Sequence, residues 1–235
     1  MTIVGVVTGL EFEADVVRRH ARFAGVADRV LVTAGLGRER ARRSAEGLLA
    51  QGATALLSFG IAGGLAPNIA CETAVVATGV KAENMETIYC NVAWTARLVE
   101  ALESSPPLAH GELAYAPIIL TTSLDKGGTF AATSALAADM ESYGVGEAAL
   151  KAGVPFTAIR VVADTAGEQL PEIALHAMAP DGSLKFVETL SRIVKTPRQI
   201  PGLIRLGRST ARARRRLDQI AALSAPAAFF QRTVM

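Results

Sequence analysis

Two short apolar runs, each stopped by carboxylates, constrain this chain more than any other feature. Ala137-Ala138-Asp139-Met140-Glu141-Ser142 reads as a buried strand ending in acids, and Arg160-Val161-Val162-Ala163-Asp164 repeats the pattern. Between them Tyr143 to Ala152 is a small-residue helical stretch, closed by Gly153-Val154-Pro155. Strand, helix, strand predicts a βαβ unit whose two strands run parallel, with their C-terminal ends on one side. Ligands of open α/β sheets bind at that end, so Glu141 and Asp164 are expected to point into one crevice. Either acid could instead cap a helix or pair with Arg160, because Asp is a favoured cap residue. As a pair at matching strand ends they favour a site.

The rest of the chain repeats the alternation. Ile3 to Val7 is a first strand, Thr8-Gly9 a turn, and an amphipathic helix opens at Glu11-Phe12-Glu13. Arg29 to Ala34 is a second strand. Arg38 to Gln51 is a charged helix with Ala41, Ala45, Leu48 and Leu49 on one face. Thr54 to Ile61 is a third strand, running into the glycine-rich loop Gly60-Ile61-Ala62-Gly63-Gly64-Leu65-Ala66-Pro67, and Thr73 to Val80 a fourth. Asn91 to Ser104 reads as helix, Leu113 to Leu120 as extended, and Asp125 to Thr129 as a flexible turn. Helical turns are expected at Glu172 to Met178 and Leu184 to Lys195, with a last long helix from about Leu203 to Leu223. Alternating strands and helices predict an α/β chain, a three-layer α/β/α sandwich around a central mixed, largely parallel sheet.

Composition narrows the setting. With 235 residues the chain can bury a substantial single core. Half the residues are hydrophobic but only 5% are aromatic, so that core is aliphatic, suited to close helix-on-sheet packing. The two cysteines, Cys71 and Cys90, have no metal-like spacing and read as reduced structural thiols. No apolar run reaches the ~20 residues of a membrane span, and no signal peptide is expected. A cytoplasmic protein is the expectation.

Three carboxylates are candidates for chemistry. Glu13 lies just past the first strand, at the rim that also holds the glycine loop, although an acid in a first helical turn is equally an ordinary dipole partner. Successive glycines at Gly63 and Gly64 allow close backbone approach to a ligand, or simply a tight turn. The loop is neither a P-loop nor a dinucleotide fingerprint. His20, His110 and His176 are scattered, and no nucleophile elbow, zinc motif or CxxC occurs. Acid–base work on a polar small molecule, without metal or other cofactor, is what remains.

Four motifs in order then show a resemblance: Val4-Gly5-Val6-Val7 leading to Glu11-Phe12-Glu13, Phe59 to Pro67, Asp139-Met140-Glu141, and Arg160 to Asp164. Over most of residues 1–195 the chain resembles the purine nucleoside phosphorylase and methylthioadenosine/S-adenosylhomocysteine nucleosidase superfamily. Its Asp-Met-Glu-Ser wording and Arg-rich end look most like the hopanoid-associated phosphorylase branch. The resemblance implies a nucleoside phosphorylase-like domain over 1–195, with a basic helical extension over 196–235 packed on or flanking it.

It also implies cleavage of the N-glycosidic bond of a 5′-substituted adenosine, with adenosylhopane as the expected substrate and adenine as product. Asp164 would act as general acid toward N7, and Glu13 would position and deprotonate the attacking water. Glu141, with Met140 packed beneath the sugar, would hold the ribose hydroxyls, and Ile61, Gly63, Gly64 and Val162 would complete the binding set. Phosphorolysis of the same bond, a methylthioadenosine or S-adenosylhomocysteine substrate, and a non-catalytic nucleoside-binding protein are the alternatives.

The sequence also departs from that pattern. Ala163 stands where many relatives carry Ser beside the acid, and Phe59 stands where phosphorolytic relatives carry Arg. The stretch Leu120 to Ala132, where relatives stack the purine, offers only Phe130 nearby. The resemblance further implies a homodimer or larger homo-oligomer and no nucleic-acid partner. Residues 198–216 hold many arginines interleaved with Ile200, Leu203, Ile204 and Leu206, and no acids. Such a basic amphipathic helix could touch an anionic membrane at its surface or cover the domain.

Overall fold

The computed structural model describes residues 2–23, 25, 29–83, 85–171 and 200–229. In chain order the elements are β1 (Val4–Thr8), α1 (Glu11–Phe23), β2 (Val30–Ala34), α2 (Arg38–Ala50), β3 (Ala55–Gly64), β4 (Ala74–Lys81) and β5 (Ile88–Tyr89). Then follow α3 (Val92–Leu102), β6 (Leu108–Tyr115), α4 (Ser123–Thr133), β7 (Ala137–Asp139), α5 (Ser142–Ala152), β8 (Phe156–Asp164) and, after the undescribed stretch, α6 (Ile200–Phe229). The expected helices at Glu172 to Met178 and Leu184 to Lys195 fall outside the described residues.

The strands form one mixed sheet. β1 lies between β2 and β3, parallel to both. β3 is parallel to β8, β4 to β6 and β6 to β7, whereas β4–β8, β4–β5 and β3–β7 are antiparallel. Because β3, β8, β4, β6, β7 and again β3 pair in succession, this part of the sheet closes on itself instead of lying flat.

Period-two alternation sorts the strand side chains into two helix-covered layers. Leu57 and Phe59 of β3, with Ile159 and Val161 of β8, face a cluster containing Val16 and Val17 of α1, Trp94 and Leu98 of α3, and Leu217 and Ile220 of α6. Leu56 and Ala62 of β3, with Ala158 and Val162 of β8, face Ala41, Ala45 and Leu48 of α2 and Val145 and Ala148 of α5. This is the expected α/β/α arrangement. The Arg38 carbonyl lies so close to Gly144 that no Cβ would fit there, which lets α2 and α5 pack backbone to backbone.

Three local expectations are corrected. First, β7 and β8 are not parallel neighbours. β3 stands between them, parallel to β8 and antiparallel to β7, because its long, glycine-ended strand pairs with both. Second, the glycine run is no loop: β3 continues through Gly64, and Gly63 is registered against Ala138 on one side and Asp164 on the other. The two acid-bearing segments are therefore brought together by the end of β3, not by a crossover of their own. Third, Asp125 to Thr129 lies within α4. The Thr122 hydroxyl accepts from the Asp125 N–H and caps that helix, which overrides the two glycines in it.

The C-terminal helix is part of the core. Ala213, Leu217 and Ile220 are fully buried among α1 and α3. Pro201 sits in its first turn, where the missing N–H has no partner to lose.

Candidate functional site

The site is built at the end of β3. Asp139, the last residue of β7, uses Oδ1 to accept from the backbone N–H groups of Glu141 and Ser142, both at 2.7 Å, and so caps α5. Glu141 is thereby freed from capping and turns inward. Its Oε1 accepts from the Gly37 N–H at 3.0 Å, and its Oε2 lies 3.5 Å from an Arg160 nitrogen. A Cβ at Gly9 would stand 3.0 Å from the Glu141 carboxyl carbon, so the turn after β1 needs its glycine there.

Glu13 reaches back across its helix. Its Oε2 accepts from the Gly9 and Leu10 N–H groups, each at 2.9 Å, while Oε1 accepts from the Ile61 N–H of β3 at 2.8 Å. The contact with Leu10 is that of an acid at the third helical position closing its own helix start. The structural and the site readings of Glu13 are therefore both realised by one carboxylate, only 1% exposed.

Arg160 is the hub beneath these acids. Fully buried, it donates to Ser58 Oγ at 2.7 Å and to Ser142 Oγ at 3.0 Å, and lies 3.2 Å from Asp139 Oδ2. Burial disfavours its charge, but Asp139, Glu141 and Glu13 outweigh that and hold the guanidinium above its ordinary value. One cation thus faces three carboxylates. Burial pushes Glu141 up to about 7, with Arg160 opposing and the Asp139 and Glu13 charges adding to the rise. Burial likewise raises Glu13, against Arg160 and the three backbone N–H donors.

Asp164 closes β8 on the other flank. The Lys126 ammonium of α4 pairs with its Oδ2 and also donates to the carbonyls of Thr165 at 2.7 Å and Glu168 at 3.0 Å. Burial raises the Asp164 carboxyl above its usual range, and Lys126 pulls it back. No group of His, Cys, Asp and Glu suited to a metal ion occurs among the described residues.

One cavity of about 580 Å³ takes in most of these groups. Glu13, Glu141, Asp164 and Lys126 line it, together with Met140, Ile61 and Gly63. The rest of the lining is mostly apolar, with Phe12 of α1, Ile118 and Leu120 after β6, Leu170 after β8, and Leu203 and Leu206 of α6, although Thr210 and Arg214 of α6 also reach it. Of the residues expected from sequence, Glu13, Asp164, Glu141, Met140, Ile61 and Gly63 converge here. Gly64 and Val162 are not in the lining. Val162 points the opposite way, into the layer under α2 and α5, because alternation along β8 gives the cavity Ala163 instead. Phe130 is partly buried against Leu65, Ala116 and Ala138 and is not itself in the lining; Phe12 is the aromatic that is.

Two features escaped the sequence reading. Lys126 was hidden by its glycines, although Thr122 followed three residues later by Asp125 is a helix-start signal that would place it on α4. Leu203 and Leu206 of the basic helix face the cavity, while Arg205, Arg208 and Arg212 are exposed together with Ile204.

Comparison with known proteins agrees with this geometry. No curated protein sequence matches the chain. The fold is similar to that of S-adenosylhomocysteine nucleosidase from Streptococcus pyogenes, solved with 5-methylthiotubericidin. That match has TM-score 0.70 and 17% identity, covering 94% of this chain and 95% of that one. It is also similar to 5′-methylthioadenosine/S-adenosylhomocysteine nucleosidase from Helicobacter pylori, at TM-score 0.67 and 16% identity, covering 94% and 97%. Futalosine hydrolase of Helicobacter pylori gives TM-score 0.67 and 16% identity, covering 93% and 97%. A match ending at residue 195 could not cover so much of the chain, so α6 belongs to the shared fold. The Phosphorylase superfamily profile matches residues 10–196, which carry the acids of the site, and the chain belongs to that superfamily of enzymes.

Proposed function

We propose that this chain hydrolyses the N-glycosidic bond of a 5′-substituted adenosine and releases adenine. The observation that carries the reading is the convergence of Glu13, Glu141 and Asp164 on one cavity whose remaining lining is mostly apolar. Asp164, raised by burial, gives a proton to N7 and makes adenine a leaving group, a step of the kind that contributes ~10²–10⁴-fold. The ribose hydroxyls donate to Glu141, with Met140 against the sugar. Glu13 holds and deprotonates the water. As C1′ turns cationic, the excess of carboxylates around Arg160 stabilises it without reorganisation.

Hydrolysis is favoured over phosphorolysis by the state of the cations. Arg160 is committed to Asp139, Glu141, Ser58 and Ser142, Lys126 is committed to Asp164, and Phe59 offers no charge, so none of the three is placed to bind phosphate; Arg214, which also lines the cavity, is stacked over the Phe12 ring. The mostly apolar remainder of the lining supports a large hydrophobic 5′ group such as the hopane of adenosylhopane. A methylthio or homocysteine tail would leave much of it unfilled. The outward arginines of α6 would let the enzyme approach an anionic bilayer that carries such a substrate, and vesicle co-sedimentation lost at high salt would support that contact. The main test is adenine release from 5′-alkylthioadenosines of increasing tail length, in phosphate-free buffer and with phosphate added. Release without phosphate, rising in kcat/KM with tail length, is expected. Strict phosphate dependence with ribose 1-phosphate as product would replace hydrolysis by phosphorolysis.

A further inference from the structure

We propose that Lys126 is a positioning residue for Asp164, fixing which carboxyl oxygen meets the leaving base and strengthening the acid. This rests on the reading of Asp164 as the proton donor. The Lys126 side chain is 1% exposed. An ammonium has three hydrogens, and here three acceptors take them: Asp164 Oδ2, the Thr165 carbonyl and the Glu168 carbonyl. That arrangement leaves Nζ no freedom to swing away. It also commits Oδ2 and leaves Oδ1 as the oxygen without a protein hydrogen bond among the described residues. Substrate N7 would meet Oδ1.

The chemistry needs such a partner. A carboxyl buried alone is a weak acid, readily protonated but slow to give its proton up. A fixed cation beside it stabilises the carboxylate that remains after transfer, while the proton moves from Oδ1 to N7 and Lys126 keeps all its hydrogens. Other charged or titratable groups around Asp164 are Glu168 in the loop after β8, the Cys71 thiol before β4, and, across the cavity, Glu13, Glu141 and Arg214. Glu168 and Cys71 would oppose or leave unchanged the stabilisation of a carboxylate. Lys126 is the cation in contact with it.

The experiment has an arm that needs no turnover. Asp164 is titrated by carboxyl NMR in the full chain, in wild type and in Lys126→Gln and Lys126→Met. Loss of the cation should raise its pKa by roughly 1–3 units, the span an opposite charge at contact distance commands. In Asp164→Asn the Lys126 Nζ resonance should move and its hydrogens should exchange faster with solvent, because a charge-assisted hydrogen bond has been replaced by a weaker neutral one. This second measurement decides the matter if neither Lys126 variant folds. In the arm that reads turnover, 5′-methylthioadenosine is the probe. The alkaline limb of kcat/KM should move up with the Asp164 pKa, kcat should fall roughly tenfold or more, and KM should change little. A limb and a carboxyl titration that stay in place while activity and Tm fall together would overturn the proposal and leave Lys126 as packing. Should wild type release no adenine while the Asp164 titration and the Lys126 resonance both shift in the variants, the pairing stands and the nucleosidase reading fails.

Discussion

Glu13, Asp139, Glu141 and Arg160 share one buried cluster whose charges do not balance, and the imbalance makes predictions residue by residue. Glu141 is pushed from an ordinary 4.5 up to about 7, so the folded chain holds its proton more tightly than the unfolded chain does. Between those two values stability must fall as pH rises, with the full loss above pH 7 and none below pH 4.5. Glu141→Gln removes the surplus charge. It should raise Tm by several degrees at pH 8, since a chain of this size gains about 2–4 °C per kcal/mol, and the gain should vanish near pH 4. Thermal melts at the two pH values check it; a lower Tm at pH 8 would mean that Arg160 needs all three acids. The same variant should lose ribose binding and rate together. Asp164→Asn should differ: substrate binding is kept, because an amide still hydrogen-bonds N7, while kcat falls by ~10²–10⁴. Near-wild-type kcat would move the acid elsewhere.

At the scale of elements, α6 is the piece whose role changes most between sequence and structure. Leu203 and Leu206 are apolar side chains in the cavity lining, so each should contribute to binding of a long 5′ tail and little to a short one. Leu206→Ala should lower kcat/KM roughly tenfold for an octylthio-type tail, about 1.4 kcal/mol, and leave the methylthio compound within about twofold. Paired kinetics on the two substrates check it, and an equal loss on both would make the residue structural. The reasons for what was and was not legible differ by element. The strands β1, β3, β4 and β8 were readable because full burial leaves a mostly apolar run, as Phe156 to Asp164 shows with Thr157 and Arg160 as its interior exceptions. Their pairing was not, since the second register of Gly63 against Ala138 depends on a strand that curls, which no local pattern records. In α4 two glycines masked a cap that Thr122 and Asp125 spell out. In α6 an arginine-rich face suggested a surface helix, but period alone does not say whether the apolar face meets lipid, a partner or its own core. Glu13, Glu141 and Asp164 were found as acids at strand ends. Their shared cation, Arg160, had been weighed only as a rival explanation.

For the whole molecule, the closed part of the sheet and the helix that ends the described chain are one structure. Ala213, Leu217 and Ile220 pack with Trp94, Leu98 and Val16, so α6 cannot be removed as an accessory. A chain ending at Lys195 should lose cooperative unfolding and shift Trp94 fluorescence to the red. A folded, cooperative truncated chain would show that the core closes without α6. The cavity inherits this unity, being lined from β3, β7, β8, α1, α4 and α6 together. The most direct test of what that cavity does is a turnover in water labelled with heavy oxygen, free of phosphate, on a 5′-alkylthioadenosine. Adenine and a free sugar carrying the label on its anomeric oxygen are the expected products. Unlabelled ribose 1-phosphate formed only when phosphate is supplied, or no adenine at all, would contradict hydrolysis by Glu13, Glu141 and Asp164.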